Sequence, residues 1–280
     1  MTDIAFKKMH GLGNDFVVID NRGTLREFSV AQTRAMSNRH TGIGCDQLIL
    51  LEPAPLTGPL KGADIFMRIF NADGSEINAC GNATRCVARL IMKETGQTIA
   101  NIGTKDRILF AKELPNDSIA VDMGRPRFNW AGIPLSSEQD TLHLNIENCA
   151  FKDLTAVNMG NPHCVIFVDD ATAVPLHEVG PTLENHEIFP ERANISIAEV
   201  KNTGASRLRV WERGVGITLA CGTAACAAAI SACRRKLTGR TVAVELDGGT
   251  LQIDWQTNDH VTMSGPAAIS FNGTFNATLM

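Results

Sequence analysis

The stretch MRIFNADGSEINACGNATRCVA at residues 67–88 aligns without gaps on LRVWERGVGITLACGTAACAAA at residues 208–229, 141 positions later. In that register Arg68 meets Arg209, Cys80 meets Cys221 and Gly81 meets Gly222. Toward the N-terminus, Gly13-Asn14 and the apolar run after it meet Gly160-Asn161 and a second such run, at an offset of 147. At the same offset Gln47-Leu48-Ile49 meets Asn194-Ile195-Ser196. The elements come in one order, twice. The period is too long for stacked solenoid repeats, so the chain reads as two copies of a single unit. Turn-forming residues collect in 112–135, at Pro115, Asn116, Asp117, Gly124, Pro126, Gly132 and Pro134, which marks the seam. The division this predicts is an N-terminal half of 1–124 with 267–280, carrying Cys80, and a C-terminal half of 125–266, carrying Cys221.

The chain has 280 residues, 44% of them apolar and 20% charged, enough for each half to bury a core and too much order-promoting content for a disordered or low-complexity chain. With 26 basic and 30 acidic residues and a net charge of −4, neither nucleic acid nor an anionic membrane is an expected partner. There is no apolar run of transmembrane length, and MTDIAFKKMH carries no stretch of export-signal length. Eight cysteines without a C-x-x-C pair suggest reduced thiols in a cytoplasm, and the spacings of Cys80/Cys86 and Cys221/Cys226 suit no zinc site. No bound metal is expected.

Short strands dominate the pattern. Residues 16–19, 65–70 and 142–146 have β-type content, the last alternating cleanly, and further candidates are 48–51, 107–111, 119–122, 164–168, 195–200, 207–211, 241–246, 250–254 and 260–263. Helices are predicted over 29–39, 82–95 and 223–236, with a fourth near 181–187. TAACAAAISAC (223–233) is apolar or small on every side, the mark of a helix enclosed all round. Its counterpart ATRCVARLIMK is similar apart from Arg85, Arg89 and Lys93, whose spacing reads as a solvated stripe. The fold class is therefore α+β: two pseudo-symmetric halves, each a mixed, strongly curved, barrel-like β-sheet wrapped round a central buried helix, with a cleft between them.

Each copy places Cys-Gly at the start of its enclosed helix. A helix N-terminus offers unpaired N–H groups and partial positive charge, which favour a thiolate and also bind a carboxylate. Pseudo-twofold symmetry would set Cys80 and Cys221 on opposite sides of one carbon, the arrangement a two-base racemase or epimerase requires. A turnover of about 10 per second allows a barrier of roughly 16 kcal/mol. Moving a proton from an amino-acid α-carbon to a thiolate spans at least about a dozen pKa units, which costs on the order of 16 kcal/mol by itself. Preorganised donors at the substrate carboxylate must supply the difference. No phosphate-binding loop or other cofactor fingerprint is evident, and no cofactor is expected.

The motifs HGLGNDF (10–16), GIGCDQ (42–47), FNADGSEINACGN (70–82), NMGNPH (158–163), ERAN (191–194) and ERGVGITLACGT (212–223) together resemble the diaminopimelate epimerase family over nearly the whole chain. The resemblance implies an isomerase that interconverts LL- and meso-2,6-diaminoheptanedioate without pyridoxal, in lysine and peptidoglycan-precursor biosynthesis, as a homodimer. By motif, Cys80 and Cys221 would be the acid/base pair. Gly81-Asn82 and Gly222-Thr223 would hold the carboxylate at the reacting centre. Asn14, Gln47, Asn71, Asn161 and Asn194 would line the rest of the substrate. Arg213 would pair with the distal carboxylate, which a planar guanidinium fork suits. Glu212, itself also a substrate contact, and His163 would sit beside the thiols and tune their ionisation. Ala83 and Ala224 stand where the family often has Gly, and Phe271 takes the place of a Tyr used at the dimer contact of some relatives; the chain has no Tyr.

Two alternatives stand beside this reading. One is a related cofactor-free isomerase, proline-racemase-like or phenazine-biosynthesis-like, against which Arg213 and the asparagines argue, since they suit a substrate with a second charged end. The other is a non-catalytic thiol module for redox sensing or metal binding. Cys45, Cys86, Cys149, Cys164, Cys226 and Cys233 keep a structural reading, and His10, His40, His143, His177, His186 and His260 share no metal spacing.

Overall fold

The computed structural model describes residues 3–147 and 149–276. Two compact units partition it: one runs to Val121 and resumes at Gly265, the other is Asp122–Ser264. Along the first lie β1 (Ile4–Gly11), β2 (Asn14–Asp20), α1 (Val30–Ser37), β3 (Gln47–Glu52), β4 (Ile65–Asn71), β5 (Glu76–Ile77), α2 (Gly81–Thr95), β6 (Ile99–Gly103), β7 (Ile108–Glu113) and β8 (Ile119–Asp122). The second repeats the series with β9 (Thr155–Asn158), β10 (Pro162–Phe167), α3 (Leu176–Glu184), β11 (Asn194–Asn202), β12 (Ala205–Glu212), β13 (Gly216–Thr218), α4 (Gly222–Arg234), β14 (Thr241–Leu246), β15 (Gly249–Trp255) and β16 (Val261–Gly265). The chain then returns to the first unit as β17 (Ala268–Phe275), antiparallel to β1.

The two sheets pair alike. In the first, β1–β2 is antiparallel, β2–β3 parallel and β3–β4 antiparallel, after which β4 takes β5 antiparallel and β6 parallel on its other side. In the second, β9–β10 is antiparallel, β10–β11 parallel and β11–β12 antiparallel, with β13 antiparallel and β14 parallel to β12. Register is preserved too. Phe16 faces Gln47 where His163 faces Asn194, and Leu48 faces Phe70 where Ile195 faces Trp211. These are the offsets read from the sequence, so the internal repeat is a repeat of hydrogen-bond pairing, not of composition alone.

The mixed sheet of each unit bends round its long helix. α4 packs against β9, β10, β11, β12, β14 and β15, and Ala224, Ala225, Ala227, Ala228 and Ala229 are all buried, so small side chains let the surrounding strands come close. α2 packs against β1, β6 and β7. It ends at Gly96, whose φ of 71° is a left-handed cap that glycine adopts without strain.

Three expectations are corrected. Arg85 is not on a solvated stripe: it is fully buried, its Nε donates to Pro266 O at 3.3 Å, and its guanidinium lies where a Cβ on Gly11 would come within 2.9 Å. Of the stripe, Arg89 is half-buried and paired with Asp117 at 2.7 Å, and only Lys93 faces solvent. Residues 142–146 form no strand, only a bridge from Leu144 to Leu154, because Asp140 Oδ1 accepts from Leu142 and His143 N–H and turns the backbone there. The fourth helix is α3, begun five residues earlier than expected, with Pro181 inside it instead of at its start.

Candidate active site

Both cysteines occupy the same backbone position. Cys80 caps α2 with φ −146° and ψ 115°, and Cys221 caps α4 with φ −124° and ψ 114°. Each cap carbonyl accepts the first helical hydrogen bond, from Thr84 N at 2.9 Å and from Ala225 N at 3.0 Å. The next N–H groups, at Gly81-Asn82 and Gly222-Thr223, have no carbonyl a turn earlier to bind, so they point out of the helix start with its partial positive charge.

In the first unit, Asn14 comes from the start of β2 and joins Cys80 and Asn82. Its Oδ1 accepts from Asn82 Nδ2 at 3.1 Å and lies 3.9 Å from Cys80 Sγ. Gln47 and Asn71 face each other across β3 and β4, with Gln47 Nε2 donating to Asn71 Oδ1 at 3.2 Å. Asn71 Nδ2 in turn reaches Ser75 Oγ at 3.2 Å.

The second unit surrounds its thiol with different groups. Cys221 is buried and 3.4 Å from Thr223 Oγ1. Burial above all, then the charge of Glu212, push its thiol well above the ordinary value of 9, while hydrogen bonds from Thr223 and the Ala224 N–H pull the other way. Glu212 is steadied by a short hydrogen bond from Thr218 Oγ1. His163 is fully buried, and desolvation followed by the positive charge of Arg213 lowers its pKa from 6.5 to about 3, so the ring is neutral. Its Nε2 lies 2.9 Å from Asn161 Oδ1, an atom that only accepts, so Nε2 carries the proton. Asn194 bridges strand and loop: its Nδ2 donates to Pro162 O at 3.0 Å and its Oδ1 accepts from Arg213 N at 3.0 Å. The Arg213 side chain is held through Nη1 to Glu191 O at 2.8 Å.

The structure thus gathers Cys80, Asn14 and Asn82 in one place, Gln47 with Asn71 in a second, and Cys221, Thr223 and Glu212 in a third, with Asn161, His163, Asn194 and Arg213 linked in a fourth. Three supporting residues escaped sequence reasoning. Thr218 bonds Glu212. Asp46, inside the quoted motif GIGCDQ, bonds Asn14 Nδ2 at 2.9 Å. Glu184, 4% exposed at the end of α3, accepts from Gly214 N at 2.8 Å, Trp211 Nε1 at 2.6 Å and Arg192 Nη1 at 3.3 Å, which fixes the turn bearing Arg213. A Glu near a loop gives no signal in one sequence, whereas Asp46 sits one residue from Gln47.

A family model described as diaminopimelate epimerase matches residues 6–129 and 155–270. The chain is 53% identical over 274 residues to the diaminopimelate epimerase of Erythrobacter litoralis, covering 98% of this chain and 97% of that one. It is 49% identical over 275 residues to the diaminopimelate epimerase of Rhodospirillum centenum, covering 98% and 93%. Among solved structures it resembles a PhzF-family phenazine biosynthesis protein of Bacillus anthracis (TM-score 0.69, 16% identity, 99% of this chain and 100% of that one). It also resembles a hydroxyproline epimerase of Agrobacterium vitis (TM-score 0.68, 14% identity, 98% and 92%). At such identities those two likenesses concern the fold.

Proposed function

The chain belongs to the diaminopimelate epimerase family, and from that premise we propose that Cys80 and Cys221 are its two acid/base residues, one for each face of the α-carbon of 2,6-diaminoheptanedioate. The activity is that of an isomerase, converting the LL form to the meso form on the route to lysine and peptidoglycan precursors. The observation that carries the two-base reading is the matched placement of the two thiols at the starts of equivalent helices.

In the forward direction one cysteine, as thiolate, takes the α-proton; the electron pair is delocalised into the substrate carboxylate; the other cysteine, as thiol, delivers its proton to the opposite face. The first cysteine ends as thiol and the second as thiolate, so the reverse reaction starts from the state the forward one leaves. The N–H groups at Gly81-Asn82 and Gly222-Thr223 meet the charge as it builds on the carboxylate, where fixed donors count most. Glu212 lies beside Cys221 and its negative charge holds the proton on that sulfur, and His163 stays neutral, so neither adds a competing positive charge. Asn14, Gln47, Asn71, Asn161, Asn194 and Glu212 contact the polar groups of the substrate, and Arg213 takes its far carboxylate. No metal, pyridoxal or other cofactor takes part.

The reading extends to a cytoplasmic homodimer. Ile269 and Phe271 on β17 are exposed, Phe271 packs edge-on against Phe6 at 6.0 Å, and β17 pairs antiparallel with β1. Sedimentation of the parent and of Phe271→Asp tests the assembly, with a shift to monomer expected. For the activity, loss of the α-hydrogen from LL-2,6-diaminoheptanedioate in heavy water, with proline as the control, is the test. Exchange of the first and not the second is expected; exchange of proline, or of neither, overturns the assignment.

A further inference from the structure

Asn14 and Asn161 occupy equivalent positions, yet their amides are held from opposite ends. In the first unit Asn14 Nδ2 donates to Asp46 Oδ2 at 2.9 Å. Asp46 is itself anchored, by Asp15 N on the same oxygen at 3.0 Å and by Arg39 Nη2 on its Oδ1 at 2.8 Å. An amide whose nitrogen is committed to a carboxylate turns its oxygen the other way, and here that oxygen faces Asn82 Nδ2 and Cys80 Sγ. In the second unit the residue equivalent to Asp46 is Ala193, which has nothing to accept with. The residue equivalent to Phe16 is instead His163, and its Nε2–H takes Asn161 by the oxygen at 2.9 Å. That leaves the Asn161 NH2 as the end to be presented. One scaffold position is an acceptor in the first unit and a donor in the second, and the choice is made by Asp46 in one and His163 in the other.

We propose that Asp46 is a positioning residue that locks the Asn14 amide with its oxygen toward the Cys80 thiol, the counterpart of what His163 does for Asn161. The proposal rests on reading Cys80 as an acid/base residue. An S–H group is stabilised by a neighbouring acceptor and a thiolate by a neighbouring donor, so a fixed Asn14 Oδ1 favours the proton-bearing form of Cys80. A free amide would turn its NH2 to the sulfur and favour the thiolate instead. The charged groups round Asn14 are Lys8 and Arg39, both paired with Asp15 at 2.6 Å, and Asp46. On α2 the titratable neighbour of Cys80 is Cys86, with Arg85 and Arg89 acting on it.

The experiment uses full-length protein without substrate. Alkylation of Cys80 by iodoacetamide is followed peptide by peptide across pH in the parent, D46A and D46N. D46N loses the charge but keeps an oxygen that Asn14 Nδ2 can reach; D46A loses both. The expected result is a Cys80 midpoint about one pH unit lower in D46A, the roughly tenfold effect of one hydrogen bond, and a midpoint near the parent's in D46N. Turnover of D46A should fall about tenfold, and that of D46N by much less. Equal shifts in the two variants would mean that only the charge acts, and no shift in D46A would mean that the amide is held by something else; either overturns the proposal. If D46A does not fold, Asp46→Ser, too short to hold Asn14, takes its place with the same two outcomes. Because alkylation needs no turnover, a parent protein inert toward 2,6-diaminoheptanedioate would sink the proposed function while this comparison still reads the amide.

Discussion

Residues 80–82 and 221–223 are the same device in two surroundings. Backbone, helix start and strand register coincide, and the side chains around them do not. Cys80 is half-exposed and has uncharged amides, Asn14 and Asn82, beside it. Cys221 is buried with Glu212 against it, a carboxylate at the position equivalent to Asn71. Duplication supplies two thiols at matched positions; divergence of their neighbours sets Cys80 beside the oxygen of an amide and Cys221 beside a carboxylate that, with burial, holds its proton on the sulfur. On the two-base reading proposed above, the comparison teaches that a symmetric skeleton carries an asymmetric lining.

Removing either thiol breaks the comparison outright. Cys80→Ala and Cys221→Ala should each lose about 10²–10⁴-fold or more in epimerisation, the worth of a positioned acid or base, with unchanged circular dichroism; a Cys221→Ala protein at full activity would refute the pairing. Next comes the charge that separates the two sites. Glu212→Gln removes the anion that raises the Cys221 thiol, so the midpoint for Cys221 alkylation moves to lower pH and turnover drops by roughly 10²-fold. The limits of its bell-shaped rate profile belong to the pair and should move as well.

His163→Phe copies the first unit's Phe16 into the second. Turnover should fall about tenfold as the Asn161 amide is released. Stability carries the pH signature. His163 has a folded value of about 3 against 6.5 unfolded, so the unfolded chain binds the extra proton. Its contribution to folding is complete above 6.5 and is lost as pH falls toward 3, and thermal unfolding of the variant should be less sensitive to pH in that window. The smallest effect is expected at Glu184→Gln. The amide keeps one accepting oxygen where the carboxylate has two, so either Gly214 N–H or Trp211 Nε1–H loses its acceptor, which costs about 1–3 kcal/mol of stability and loosens the turn bearing Arg213. The signature is a raised KM at nearly constant kcat; an unchanged KM would show that this turn does not hold the substrate.

Much of this was legible before any coordinates. Two Cys-Gly pairs 141 residues apart fixed the repeat, and the all-apolar 223–233 marked the enclosed helix. What stayed hidden was hidden by polar residues doing buried work. β1 reads IAFKKMHG, and its lysines conceal the strand; Lys8 is buried because its ammonium meets Asp15 and the Gly44 carbonyl. Arg85 looked solvent-facing by spacing alone, since a single sequence does not show that Pro266 and Gly11 wait for it. Clean alternation at 142–146 misled in the other direction, because a side-chain bond from Asp140 outcompeted a sheet partner. Site residues were legible as types in motifs, but which end of an amide each presents depends on neighbours such as Asp46.

The most direct test of the two-thiol account is the first turnover of LL-2,6-diaminoheptanedioate in heavy water, with isotope read at the α-carbon of substrate and product separately. Two thiols acting from opposite faces predict that newly formed meso product carries solvent deuterium at the inverted centre while unreacted LL substrate carries none. Product that retains the substrate's own hydrogen, or LL substrate labelled as fast as product forms, would mean that a single base works on both faces and would contradict it.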